Sequence, residues 1–381
     1  MAPVAPVADI PVMRPWIEAE EALALAEVVA SGWVAQGPRA ADFERALAGK
    51  VGAGHGVAAS SGTAALQLAL SVLDLAPGDE VVVPSLSYIA TANAPRAVGA
   101  TPVFADVDAA TLNLTATTIE AVLTAATRAV LVVHQAGTPA DLDAIHALCD
   151  PRGVEVVEDA ACALGTEHRG TPIGGNGRLV AFSFHPRKVI TTGEGGMVTT
   201  ADDARADRMR RLRDHGSDVS AWARHASSTT VEQYVEPGFN FRLSDLLAAV
   251  GLVQLERLDA IVIRRRELAA VYHEQLRDLP LRQVVGDPPW GRANYQSFWV
   301  ELVEDAPVAR DDVLARLFDA GVLARRGIMA AHLEPAFAGA PHGPLPVTER
   351  LTTRSLVLPL FHSMTEPEQL RVVDALRAAL A

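Results

Sequence analysis

The chain has 381 residues, 49% of them hydrophobic and 21% charged, which suits two packed domains and a globular protein rather than a disordered chain. Its net charge of −13 excludes a general nucleic-acid-binding surface, which needs a basic excess to neutralise phosphates, while a local anion site stays open. Two cysteines, Cys149 and Cys162, can form neither a disulfide framework nor a four-thiolate zinc site, so no metal is expected and a reducing compartment fits.

The N-terminal MAPVAPVADIPVM carries no basic segment followed by an apolar run, and no stretch reaches the roughly 18 apolar residues of a spanning helix. A cytoplasmic protein without a membrane partner is expected. From about residue 50 to residue 200, apolar β-branched runs alternate with alanine-rich ones, the pattern of α/β units around a mostly parallel sheet. A helix is predicted over 63–73, then strands over 81–85, 101–107 and 129–134, a helix over 140–150, and strands over 154–159 and 178–184. Next comes a helix over 243–276, long enough to contain a bend, then a strand at 297–303 and helices at 311–321 and 366–380. A domain change is placed near residue 250, dividing the chain into 1–250 and 251–381.

Only Lys50 and Lys188 are lysines among the 33 basic side chains. A GC-rich genome explains such scarcity; so does a lysine retained for its chemistry, because an amine forms imines and a guanidinium does not. Lys50 closes a predicted helix, where a cation complements the dipole. Lys188 lies in FSFHPRKVITTGEGG, after a strand-end Ser183 and before Gly193, Gly195 and Gly196, which let the backbone pass close to something bulky.

Other strand ends carry candidate ligand groups, as open α/β sheets bind at the carboxyl ends of their strands. In SSGTAALQLAL, small residues including Gly62 and Thr63 open a helix, which reads either as an ordinary N-cap or as an anion site. Tyr88, just beyond a strand, either packs on the core or stacks on a flat ring. Asp159 ends VEVVED, where it either caps the next helix or holds a cationic ring nitrogen, and Cys162 follows as a small buried hydrophobe or a pocket wall. In this order the parts suffice to hold pyridoxal 5′-phosphate, with Asp159 keeping the ring an electron sink and Lys188 bound to its aldehyde.

On these segments, together with PADLDAI, GFNFRLSDLLAAVGLVQLERLD and SLVLPLFHSMTEPEQLRVVDALR, the chain resembles the DegT/DnrJ/EryC1/StrS group of fold-type I aminotransferases across nearly its whole length. The resemblance implies an α/β fold: a large cofactor-binding domain with a mostly parallel seven-stranded sheet flanked by helices, and a smaller α+β C-terminal domain. It implies Lys188 as the Schiff-base lysine and Asp159 as the partner of the ring nitrogen. Gly62, Thr63 and Ser183 would hold the phosphate, Tyr88 would lie over the ring, and Asn240 of GFNFR would reach the neighbouring subunit's phosphate in a homodimer with shared active sites.

Two departures stand out. Cys162 occupies a position that is commonly Gln or His, bordering the ring hydroxyl, and a thiol bonds more weakly there. Gln135 and Ala136 replace bulkier residues, so His134 and the substrate pocket are expected to be shaped differently. RRGIMAAHLEP supplies Arg325, Arg326 and His332 as candidate substrate contacts, against a plain reading as exposed charge. The implied activity is transfer of an amino group from an amino acid, L-glutamate by resemblance, to a keto sugar, nucleotide-linked in the family. An inosose or other carbocyclic ketone is the alternative acceptor. A sugar dehydratase would replace the lysine by histidine, and a non-catalytic binder would not need an imine-forming amine; Lys188 argues against both.

Overall fold

The computed structural model describes residues 9–220, 222–223, 229 and 231–381, so the reading of the N-terminal arm lies outside the described residues for positions 1–8. Seven short apolar segments form the central sheet: β1 His55–Ala59, β2 Glu80–Pro84, β3 Thr101–Ala105, β4 Thr127–Val133, β5 Glu155–Asp159, β6 Leu179–Ser183 and β7 Gly196–Thr200. Their order is β1-β7-β6-β5-β4-β2-β3, and all neighbours run parallel except β7, which is antiparallel to both β1 and β6. The mostly parallel α/β sheet expected from the sequence is therefore present. The sequence reading does not anticipate β1 and β7, whose short HGVAA and GMVTT runs contain glycine and carry weak strand signals.

Side chains alternate across the sheet with the period of two that a strand imposes. Val130, Val132, Val156, Val180 and Phe182 face one layer, where Phe43 and Leu47 of a helix over Pro38–Val51 and Ile145 of a helix over Leu142–Cys149 pack on them. Leu131, Val157, Leu179 and Ala181 face the other, formed by helix α1 Gly62–Ser71, helix α2 Ile89–Ala97 and the helix over Asp203–Leu212. Each such Val, Leu or Phe contributes about 1.5–3 kcal/mol by burial, which holds these helices in place where their own propensity would not.

The long predicted helix divides into α3 Asp245–Glu256 and α4 Leu258–Gln275 at Arg257. There Arg257 Nη1 reaches Glu21 at 2.8 Å and Nη2 reaches Glu20 at 3.0 Å. Asp245, buried at the start of α3, caps the Pro38–Val51 helix from across the fold, accepting from the amides of Gly37 (2.7 Å), Arg39 (3.1 Å) and Ala40 (2.9 Å). The change of core falls within α4: Leu258 and Ile261 face the central sheet, whereas Leu268 and Tyr272 face a second sheet. That antiparallel sheet has the order β8-β9-β11-β10, with β8 Leu281–Gln283, β9 Phe298–Leu302, β10 Arg325–Arg326 and β11 Ser355–Leu358. Ile10 joins its core, and Ile10–Pro11 pairs in parallel with Val322–Leu323. Among the described residues no helix is long and apolar enough to cross a membrane.

Candidate active site

The carboxyl ends of β5 and β6 lie side by side, with Asp159 in register with Ala181. Asp159 and Ser183 have the same parity as Val157 and Ala181, so both side chains emerge on the sheet face covered by α1 and α2. The first turn of α1 abuts Ser183: a Cβ on Gly62 would lie 2.6 Å from Ser183 Cβ and 2.9 Å from its Oγ, so only glycine allows this approach. Ser61 is the helix N-cap, accepting from the Ala64 amide at 3.1 Å. The plain reading of SSGT is thus correct for Ser61, while Gly62 and Thr63 stand at the open helix end beside the Ser183 hydroxyl.

Asp159 is buried, and each carboxylate oxygen meets one donor: Thr91 Oγ1 donates to Oδ2 at 2.8 Å and the Ala161 amide to Oδ1 at 3.1 Å. Ser87 Oγ stands 2.8 Å from Thr91 Oγ1, extending the chain of hydroxyls. Burial pushes the Asp159 carboxyl above its ordinary value, opposed by the hydrogen bonds from Thr91 and Ala161 and by the charge of Lys188. Lys188 is half-buried, and its Nζ lies 3.2 Å from Cys162 Sγ. The N-terminus of α1 beside the Ser183 hydroxyl, a buried carboxylate with lone pairs to spare and a lysine amine therefore follow the carboxyl ends of neighbouring strands β5 and β6.

Residues 15–377 match the model of the DegT/DnrJ/EryC1/StrS aminotransferase family. This chain belongs to that family. It is similar to the aminotransferase TlmJ from Streptoalloteichus hindustanus, at 37% identity over 97% of this chain and 98% of that one, with a TM-score of 0.90. It is similar to DesV of S. venezuelae, solved in complex with a ketimine intermediate, at 35% identity, 98% and 99% coverage and a TM-score of 0.89. A candidate sugar aminotransferase, Spr1654 from Streptococcus pneumoniae, in its PMP form, matches at 25% identity, 98% coverage of both chains and a TM-score of 0.90. The fold is that of the fold-type I aminotransferases, and the protein is a pyridoxal-phosphate-dependent aminotransferase.

The aminotransferase's own residues fit such a cofactor. The absence of a Cβ at Gly62 lets the N-terminus of α1 close up on the Ser183 hydroxyl, where an anion can be met by both, and Asp159 has acceptor capacity beyond its two donors. Tyr88 is the N-cap of α2 and stands 59% exposed, so its ring is not spent on the core. Asn240 is exposed; its backbone bridges to Asp214, while the neighbouring Phe241 carbonyl accepts from the Ser60 amide at 2.8 Å just before the start of α1.

His134, expected near substrate, is fully buried on the opposite sheet face: Nδ1 accepts from the Ala140 amide at 3.1 Å, leaving Nε2 to face Glu158 at 2.9 Å. Both ring nitrogens are engaged, because Glu158 and Asp159 are adjacent on β5 and must point to opposite faces. His332 is held through one ring nitrogen, with Glu349 Oε1 3.5 Å from the other. Its Nδ1 is 2.7 Å from Ser85 Oγ, its side chain is 6% exposed, and the Ala331 amide donates to the Ser85 carbonyl at 2.8 Å. Burial lowers the His332 pKa below the ordinary histidine range. Arg325 and Arg326 are exposed on β10, the edge strand of the C-terminal sheet, rather than on the sheet that carries Asp159 and Ser183. The sequence reading passes over Thr91, although IATANA places it three residues after Tyr88, one helical turn into α2.

Proposed function

We propose that this aminotransferase takes the amino group of an amino acid, L-glutamate by the family resemblance, and delivers it to a nucleotide-linked keto sugar. The observation that carries the catalytic part is the Lys188 amine beside Cys162, set at the same sheet edge as the buried Asp159. Likeness to Spr1654, described as a candidate sugar aminotransferase, supports the class of acceptor. Pyridoxal 5′-phosphate bound here would supply the aldehyde that takes up the amino group and a ring that draws off an electron pair. Asp159 would hold the ring nitrogen, Gly62, Thr63 and Ser183 the phosphate, Tyr88 the ring face, and Cys162 the edge beside the amine. Lys188 Nζ, in its uncharged form, would take the proton from the donor's α-carbon and give it up on the carbon beyond the amino nitrogen, two bonds away, then run the same transfer in reverse for the acceptor.

The exposed Asn240 supports a homodimer in which that side chain completes the neighbouring phosphate site. A cofactor domain over 1–250, a smaller domain over 251–381 and a cytoplasmic setting complete the reading. Borohydride treatment followed by peptide mapping should label Lys188, and glutamate should shift the absorption of the bound cofactor. Offering keto sugars and inososes to the aminated enzyme then identifies the acceptor by return of the original band, and response to inososes alone would replace the sugar. Normal turnover by a Lys188→Ala protein would defeat the catalytic assignment.

A further inference from the structure

The connection between a short strand at Gly291–Arg292 and β9 passes behind the amine site and touches both turns that form it. Asn294, fully buried, donates from Nδ2 to the carbonyls of Cys162 (2.9 Å) and Leu164 (2.8 Å), and its Oδ1 accepts from the Gln296 amide at 2.8 Å. Gln296 Nε2 donates to the carbonyl of Arg187, the residue before Lys188, at 2.8 Å. Between them Tyr295 has φ +51°, a left-handed conformation that a bulky side chain adopts only at a cost of about 1–3 kcal/mol. That twist allows Asn294 to reach one turn and Gln296 the other.

The connection is itself held. Arg265, fully buried on α4, donates from Nη1 to the carbonyls of Tyr295 (3.2 Å), Gln296 (3.3 Å) and Leu360 (3.0 Å). Burial without a facing carboxylate among the described residues lowers its guanidinium to about 10. Gly137, at φ +89°, makes room on the far side, since a Cβ there would lie 1.8 Å from Asn294 Oδ1.

We propose that Asn294 and Gln296 are positioning residues for the transamination: side chains of the C-terminal part fix the separation of the Cys162 and Lys188 turns, and hence the aim of the Lys188 amine. The inference rests on the catalytic reading of Lys188. An amine displaced by a fraction of an ångström loses proton-transfer efficiency while substrate affinity is spared, because the contact acts on the transition state rather than on binding.

Gln296→Ala is the first test, since Gln296 is only half-buried and its loss leaves the core intact; Asn294→Ser, which shortens the buried donor, is the second. Both proteins should lower kcat by about tenfold or more with the amino-donor KM within about twofold of wild type, and should shift the pH dependence of the bound cofactor's absorption. In cofactor-free protein, iodoacetamide should alkylate Cys162 at a changed rate in both variants. Cys149 does not interfere, being buried with its thiol pushed up to about 11. Unchanged kcat, pH profile and alkylation rate in both variants would overturn the proposal, as would a loss confined to melting temperature. If borohydride fails to label Lys188 in wild type, the catalytic reading fails separately, and the alkylation rates still decide whether the connection sets the Cys162 turn.

Discussion

Thr91→Val tests how the site holds a carboxylate ready for a cationic ring. The substitution nearly keeps the side-chain volume and replaces by a methyl group the hydroxyl that donates to Asp159 Oδ2 at 2.8 Å. A hydrogen bond to a charged acceptor contributes about 1.5–3 kcal/mol, or about ten- to a hundredfold in an equilibrium constant at about 1.4 kcal/mol per tenfold. Because burial already raises the Asp159 pKa and Thr91 is the foremost opposing influence, its loss moves the carboxyl further toward the protonated form, which cannot pair with a protonated ring nitrogen. Cofactor affinity should fall by about ten- to a hundredfold, with the acidic limb of the pH–activity profile moved to higher pH. Thr91→Ser, which keeps the hydroxyl, should restore both. The assay is cofactor titration by absorbance across a pH series, with kcat measured on the saturated proteins. Wild-type affinity and an unmoved acidic limb in the valine protein would refute the argument.

Three further outcomes follow from the same geometry. Because the folded-state pKa of Asp159 is raised, its contribution to the stability of the cofactor-free protein is present in acid and is lost as pH rises through that value. Asp159→Asn should therefore melt higher than wild type at neutral pH without cofactor, with the gap closing in acid, while binding cofactor poorly; calorimetry over a pH series measures it. Gly62→Ala places a methyl 2.6 Å from Ser183 Cβ, which should cost about 1–3 kcal/mol in denaturant unfolding and weaken cofactor binding, with Ser183→Gly in the same chain recovering the stability. Asp245→Ala leaves the amides of Gly37, Arg39 and Ala40 without their acceptor and should cost about 2–4 kcal/mol in the same unfolding assay.

The candidate site residues are legible where a local pattern exposes them. Asp159 and Ser183 end apolar runs, Gly62 and Thr63 open an alanine-rich helix, and Lys188 is conspicuous in a chain with two lysines. His134 looked equally prominent at the end of AVLVVH, yet the strand's alternation sends it to the opposite face, where Glu158 and the Ala140 amide take its ring. His332 is a candidate substrate contact through the family resemblance of its segment, and what no local pattern shows is that folding sets its Nδ1 against Ser85, 247 residues away. Thr91 was hidden for a different reason: nothing local distinguishes a threonine in IATANA until the helix is laid against β5.

Taken alone, the order of amino acids determined many of the periodic elements, the α/β class and the succession of candidate ligand groups along the strand ends, because period, capping and strand-end chemistry are properties of neighbours in the chain. Only tertiary structure decided which of these groups meet. The Cys162–Lys188 contact, the Thr91 bond to Asp159, the cap that Asp245 places on a distant helix and the reach of Asn294 to Cys162 join positions 26, 68, about 200 and 132 residues apart. No local signal encodes such pairs, because each depends on how layers pack and on which face a side chain leaves its strand or helix.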